Sequence, residues 1–169
     1  MSTAIDSNVL IALWNEDDTL NTQARSALDT ALARGSLVIA APVFAELLAA
    51  PSRTESFLDS FCKETGIAVD WNLNEATWRG AGRAFQQYVA RRRRQRDSGP
   101  RRILADFLIG AHALHHGLRL LTLDDRLYRA AFPGSRFSLY NPGVELSLEA
   151  QMRPSPWLQP VLFDGKRAR

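Results

Sequence analysis

One cysteine, Cys62, occurs in 169 residues. A lone thiol excludes an internal disulfide and cannot build a zinc site from cysteine. Both exclusions favour a reducing compartment. Cys62 lies among Phe57, Leu58 and Phe61 and reads as core filler. No apolar run approaches the ~18–20 residues that a membrane span requires. The opening MSTAIDSNVLIALW has no Lys or Arg ahead of its apolar stretch and carries an acid within it, so it does not read as a secretory signal. The expectation is a cytoplasmic protein. Internal repeats and long low-complexity segments are also missing. Histidine is scarce, with three in all.

What remains is the composition of an ordinary globular domain, 46% apolar and 23% charged. The length suits a single domain with its own core. The net charge of +3 hides an uneven distribution. Residues 91–102, RRRRQRDSGPRR, hold seven Arg and one Asp and carry +6, whereas the rest of the chain holds 14 basic and 17 acidic residues and carries −3. A concentrated basic patch on a mildly acidic chain points to a polyanionic partner. Its bland alternative is a solvated helix end.

Strand-like and helix-like runs alternate, which predicts βαβ units and a mainly parallel sheet. Thr3–Asp6, Leu37–Ala41, Ile67–Val69, Leu118–Thr122 and Phe137–Tyr140 read as five strands. Helices are predicted over Asn8–Trp14 and Leu20–Arg34, the latter stopped by Gly35. Another starts near Pro42, whose missing N–H suits a first helical position. Ser52 with Glu55 forms a capping-box pattern opening a helix that ends at Gly66. Asn74 caps a long helix with Trp78, Ala81, Phe85, Tyr88 and Val89 on its buried face, ending in the Arg run. Ile103–His116 is closed by Gly117, and a short helix begins near Asp125. The domain is expected over residues 1–149. Residues 150–169, with Pro154, Pro156 and Pro160 beside Trp157, Leu158 and Phe163, read as an extended tail docked on the surface or on a partner.

In a parallel α/β sheet the strand C-termini and helix N-termini share one rim, where ligands bind. Four acids reach that rim: Asp6 after the first strand, Glu46 one turn into its helix, Asp106 in a first helical turn, and Asp124 just past the fourth strand. Three of them lie in apolar surroundings: AIDSNVLIAL, APVFAELLAA and ILADFLIGAHAL. An unpaired buried carboxylate costs several kcal/mol, and crowding like charges raises the cost. Buried Arg partners or bound cations would compensate. Oxygen ligands without a His or Cys cluster suit Mg²⁺ or Mn²⁺. Each acid also has an ordinary structural reading. Asp6 would cap the following helix, Glu46 would be exposed on an amphipathic helix, and Asp106 would answer a helix dipole. Asp124 and Asp125 would be turn residues, and which of the two is the fourth acid stays open. His112, His115 and His116 stand at a helix C-terminus, which this geometry places at the opposite rim. Trp14, Trp71 and Trp78 read as core or interface.

With these residues in place, the chain resembles the PIN-domain family of VapC-type ribonuclease toxins over about residues 3–145. AIDSNVLIAL resembles the opening motif, PVFAELL the second, and RRILADFLIGAHALHHGLRLLTLDDRLY the third and fourth together. Their order and spacing make the likeness specific. It implies a three-layer α/β/α fold around a five-stranded parallel sheet. It implies a Mg²⁺- or Mn²⁺-dependent endoribonuclease that cleaves RNA by metal-activated water. Asp6, Asp106 and Asp124 would be metal ligands, and Glu46 would complete the catalytic set. Ser7, Asn8, Thr122 and Asp125 would be supporting polar residues. Arg91, Arg92, Arg93, Arg94, Arg96, Arg101 and Arg102 would contact RNA. The family also implies a small antitoxin partner and a homodimer. The alternatives are a non-catalytic PIN-like module binding RNA or protein, or a metal-dependent DNA nuclease or phosphohydrolase. The Arg run and the apolar tail depart from the basic pattern.

Overall fold

The structure is a computed structural model, and it describes residues 2–17, 19–95, 104–133, 136–138 and 156–158. Arg96, Arg101, Arg102, Tyr140 and most of the tail lie outside the described residues. Five strands form the sheet: β1 (Thr3–Ile5), β2 (Leu37–Ala40), β3 (Ala68–Asp70), β4 (Arg119–Leu121) and β5 (Arg136–Ser138). Their spatial order is β3-β2-β1-β4-β5. All four pairings are parallel, with Thr3 opposite both Leu37 and Arg119. The sheet is doubly wound outward from β1.

Between the strands run α1 (Ser7–Trp14), α2 (Asn21–Arg34), α3 (Ala41–Leu48), α4 (Glu55–Thr65), α5 (Glu75–Gln95), α6 (Leu104–His115) and α7 (Arg126–Ala131). α1 packs on α2 and α3, and α3 on α4; α5, α6 and α7 pack on one another. Right-handed crossovers leaving β1 in both directions require this division into two helical layers. The strands are short; β1, β2 and β4 are largely buried, with Ile5, Leu37, Ile39, Leu120 and Leu121 at the centre, whereas β3 is exposed to half-buried. α6 is apolar on nearly all sides, and Phe107 through Ala113 are buried. No described helix is long and apolar enough to cross a membrane.

Local chemistry explains most boundaries. Pro42 stands in the first turn of α3. Asn74 caps α5, its Oδ1 accepting from the Thr77 N–H at 2.9 Å. Gly66 and Gly117 take left-handed φ values of 71° and 60° at helix ends, where a Cβ would be strained. Gly110 answers a different need. A Cβ there would stand 2.6 Å from Cδ2 of buried Phe132, so α6 and the end of α7 can meet only over hydrogen.

Two predicted details are corrected. The cap of α4 is Thr54, not Ser52: Thr54 Oγ1 accepts from the Phe57 N–H at 3.2 Å, whereas Ser52 sits at φ 61° in the turn before it. The buried face of α5 also differs from the predicted one at Trp78, while Ala81, Phe85 and Tyr88 lie on the packed side. Thr77, Ala81 and Ala84 are buried, whereas Trp78 is 49% exposed. Small residues face α6 here, and the larger Phe85 and Tyr88 pack on Phe107 further along. Trp71 is exposed against Phe44, while Trp14 packs edge-on to Phe57 and Phe61. Of the tail, Pro156–Leu158 forms a short 3-10 turn. Its Trp157 lies against Phe61 and donates its indole N–H to Asp29 at 2.8 Å.

A candidate carboxylate site at the sheet switch point

β1 and β4 are neighbours from which the chain winds away in opposite directions. The crevice beyond their C-terminal ends is therefore the expected ligand position. Asp6 follows β1, and its backbone N–H bonds to Leu121 O in β4 at 2.9 Å. It occupies the N-cap position of α1 but makes no side-chain cap bond. Its carboxylate turns inward instead and is 4% exposed. Three neutral donors converge on Oδ2: Thr122 Oγ1 at 2.7 Å, Asn8 Nδ2 at 2.9 Å and Tyr128 OH at 3.1 Å. Oδ1 receives no side-chain donor nearer than Ser7 Oγ at 3.5 Å. The Ser7 proton is drawn elsewhere, to Glu46 Oε2 at 2.6 Å. One oxygen of Asp6 is thus held from three sides, and the carboxylate is also reached by the backbone N–H of Ser7.

Glu46 comes from α3, half-buried and not exposed as an ordinary amphipathic helix would have it. Asp106 enters from the first turn of α6. Burial raises the Asp6 carboxyl above its usual range, hydrogen bonds from Thr122 and Tyr128 oppose this, and the Asp106 charge adds to the rise. Glu46 is raised by burial, lowered by Ser7, and raised again by Asp6 and Asp106. The three carboxylates therefore share one electrostatic neighbourhood. Among the described residues, no Lys, Arg or His supplies a compensating charge to Asp6 or Glu46.

The loop after β4 closes the site. Thr122, 1% exposed, bonds Asp6 and also accepts from the Asp124 N–H at 3.1 Å. Asn8 bridges the two loops: it donates to Thr122 Oγ1 at 3.1 Å and accepts from the Leu123 N–H at 3.2 Å. Asp124 Oδ1 accepts the Arg126 N–H at 3.3 Å, an Asx turn that starts α7. Asp125 turns to Arg129 in an i,i+4 ion pair. Of the two neighbouring acids, Asp124 is the one tied through Thr122 to Asp6.

Tyr128 was not anticipated as a site residue. It is buried in α7, and burial followed by the Asp6 charge holds its phenol protonated well beyond the ordinary range, so it serves as a permanent donor. Its position four residues past Asp124 in TLDDRLY was the available signal. The Arg run behaves in two ways. Arg91 Nη1 donates to Ala130 O at 3.0 Å, and Arg92 lies over the Tyr88 ring and bonds its hydroxyl. Arg93 and Arg94 are exposed at the end of α5. His112 is not at the far rim. It is buried and bonds Asp70, the last residue of β3, at 3.0 Å. Strands of three residues span only about 10 Å, too little to hold a long side chain away from the other rim.

The donor set suits a hard divalent cation: several carboxylates close together. The sequence profile of the PIN domain family matches residues 3–133. No curated protein matches the sequence. Several solved structures are similar in fold. A toxin–antitoxin complex from Klebsiella pneumoniae aligns at TM-score 0.56 and 18% identity, covering 85% of this chain and 99% of that one. VapBC2 from Rickettsia felis, bound to a DNA fragment from its promoter, aligns at TM-score 0.55 and 16% identity over 83% and 100%. VapBC-1 from nontypeable Haemophilus influenzae aligns at TM-score 0.53 and 18% identity over 81% and 96%. The chain belongs to the PIN domain family.

Proposed function

We propose that this PIN-domain protein is a divalent-metal-dependent endoribonuclease, the VapC-type toxin of a toxin–antitoxin pair. The observation that carries this reading is the crowding of Asp6, Glu46 and Asp106 at the sheet switch point with, among the described residues, only neutral donors on Asp6 and Glu46. Three buried or half-buried acids in one place are costly unless a cation joins them. Asp6, Asp106 and Asp124 would hold Mg²⁺ or Mn²⁺. When bound, the cation supplies Lewis-acid activation of water and neutralises charge on a phosphate in transfer.

The chain's own residues prepare that chemistry. Thr122, Asn8 and Tyr128 hold Oδ2 of Asp6, which would leave Oδ1 for the cation. Ser7 orients Glu46, whose raised basicity suits it to take a proton from an attacking water. Water as the nucleophile would leave no 2′,3′-cyclic phosphate, and with the P–O3′ bond breaking and the 3′-oxygen taking a proton, the products would carry a 5′-phosphate and a 3′-hydroxyl. Arg93 and Arg94, with Arg91 and Arg92 behind them, would meet the RNA backbone. Arg96, Arg101 and Arg102, outside the described residues, belong to the same proposal by sequence alone. A small antitoxin partner is part of the reading, supported by the toxin–antitoxin structures of the same fold, and a homodimer is part of the same proposal. A cytoplasmic location accords with the single buried Cys62.

The test is cleavage of a labelled single-stranded RNA with Mg²⁺ or Mn²⁺ and with EDTA, with Asp6→Asn beside wild type. Metal-dependent cleavage that the variant lacks is the expected result. Equal cleavage by both proteins, or 2′,3′-cyclic phosphate ends, would remove the mechanism. Binding of RNA without metal binding or cleavage would favour a non-catalytic module.

A further inference from the structure

A second cluster of ligating side chains lies apart from the carboxylate site. Asp70, His112 and His116 each present one donor atom, and these atoms lie within 4.8 Å of one another. Asp70 ends the edge strand β3. His112 and His116 are one helical turn apart. The His116 N–H bonds to His112 O at 3.1 Å, so the last turn of α6 carries both rings on one side. Their centroids are 4.9 Å apart. Asp106 stands six residues before His112 on the same helix, on the order of 9 Å along its axis.

A simple His–Asp contact does not account for this arrangement. His112 is 1% exposed, yet only its Nε2 is bonded, to Asp70 Oδ2 at 3.0 Å. Its Nδ1 is buried without a partner among the described residues. His116 adds a second imidazole beside the first. As cations the two would repel; with neutral rings, His112 donates its Nε2–H to Asp70, and a bound cation would take that proton's place between nitrogen and carboxylate. Asp70 is also braced, since its Oδ1 accepts the Asn72 N–H at 3.0 Å and leaves Oδ2 toward the rings. Such a bond on the non-ligating oxygen is what supports metal-binding carboxylates. His115, by contrast, is bonded to Asn74 at 2.8 Å.

We propose that Asp70, His112 and His116 form a binding site for a transition-metal cation of the Zn²⁺ class, separate from the carboxylate site and independent of whether the chain is a nuclease. Two imidazoles and one carboxylate, with water in the fourth position, are a standard zinc donor set, and imidazole selects such ions over Mg²⁺. Tetrahedral bonds of about 2.0–2.1 Å place donors roughly 3.3 Å apart. His112 and Asp70 are already near that spacing. Only His116 must close, and its ring is exposed and free to turn. The missing acceptor for His112 Nδ1 makes the site weaker than a closed structural zinc centre. When filled, it would fasten the C-terminal end of α6 to the sheet edge.

The experiment is a Zn²⁺ titration of the untagged full-length chain by calorimetry, in excess Mg²⁺ and on an Asp6→Asn background so that the carboxylate site does not compete. One equivalent of Zn²⁺ should bind, and His116→Ala should weaken it at least tenfold while His115→Ala leaves it unchanged. Zn²⁺ should raise the melting temperature of the background protein and not of the His116→Ala variant. His116 is exposed, so its replacement spares the core; the unfolding transition without zinc verifies this. Equal binding by His116→Ala, or no binding by the background protein, would overturn the proposal.

Discussion

If the carboxylates are arranged for a cation and not for stability, removing one of them should stabilise the metal-free protein. Asp6→Asn tests this. The asparagine carbonyl can still accept from Thr122, Asn8 and Tyr128, and its amide would point toward Glu46. What disappears is the buried charge and its repulsion by Glu46 and Asp106. At an effective dielectric near 20, a like-charged pair about 6 Å apart costs about 2.5 kcal/mol. Two such neighbours give about 5 kcal/mol, against a loss of about 1 kcal/mol for each of three donors that no longer meet a charge. The net gain is about 2 kcal/mol, or roughly 4–8 °C in melting temperature for a chain of this size.

The pH dependence gives the same reasoning a second check. The usual carboxyl values for Asp6 and Glu46 are 3.8 and 4.5, and both are raised in the folded protein. Above those usual values the folded state binds more protons than the unfolded state, so stability falls as pH rises. His112 is held below its ordinary value chiefly by burial, which contributes the opposite slope up to about 6.5. The difference between wild type and Asp6→Asn cancels that contribution. Thermal unfolding in EDTA between about pH 4 and 7.5 should therefore show the advantage of the variant growing with pH. Mg²⁺ or Mn²⁺ at 100 times its dissociation constant should then stabilise wild type by about 2.7 kcal/mol and the variant much less. An Asp6→Asn protein less stable than wild type in EDTA, with an equal metal response, would refute the argument.

Three further outcomes are expected. Tyr128→Phe removes one of the three donors on Asp6 Oδ2 with little change in volume; metal affinity or cleavage should fall about 10–100-fold, read as a shift in the Mn²⁺ dependence of the rate, and an unchanged dependence would count against an orienting role. Gly110→Ala should destabilise by about 1–3 kcal/mol through overpacking against Phe132, with Phe132→Leu restoring much of the loss in denaturant unfolding. Arg93→Ala with Arg94→Ala should weaken RNA binding and reduce the slope of log affinity against log salt by up to about 2 without changing stability; an unchanged slope would move these residues to another partner.

Most of the fold was legible because its signals are local. Short β-rich runs separated by helical periods give a parallel sheet, and Pro42, Gly66, Asn74 and Gly117 mark ends through their own backbone chemistry. The errors fell where a local pattern had a competitor of equal quality. Ser52 with Glu55 and Thr54 with Phe57 both offer a cap, and only the turn geometry that gives Ser52 a positive φ decides between them. Trp78 follows the helical period of α5 as well as Ala81 does. The close approach of α6, allowed by Gly80 and Ala84, gives the buried side to small residues and leaves the indole outside.

The candidate site divides along the same line. Asp6, Glu46 and Asp106 stood out because a carboxylate amid aliphatics is costly anywhere in a fold, so the sequence alone exposes the anomaly. Tyr128 and His112 carry no such mark. A tyrosine or histidine in an apolar helix reads as ordinary core, and what distinguishes them is a partner 122 or 42 residues away. Tyr128 gains its role from the switch point, which lays the start of α7 beside the end of β1. His112 gains its role from the shortness of β3, which lets α6 reach the carboxylate at the strand's last residue. α6 thereby links the two places: Asp106 at its first turn faces the carboxylate site, and His112 and His116 at its last turns face Asp70. Because Phe107 through Ala113 between them are all buried, a cation fastening the C-terminal end would reduce the freedom of Asp106 at the other. Zn²⁺ at the histidine site should therefore tighten Mn²⁺ binding at the carboxylates in wild type and have no such effect in His116→Ala, and by reciprocity Mn²⁺ should tighten Zn²⁺ by the same factor. Zn²⁺ and Mn²⁺ affinities that are independent of one another would show that the helix carries the two sites without coupling them.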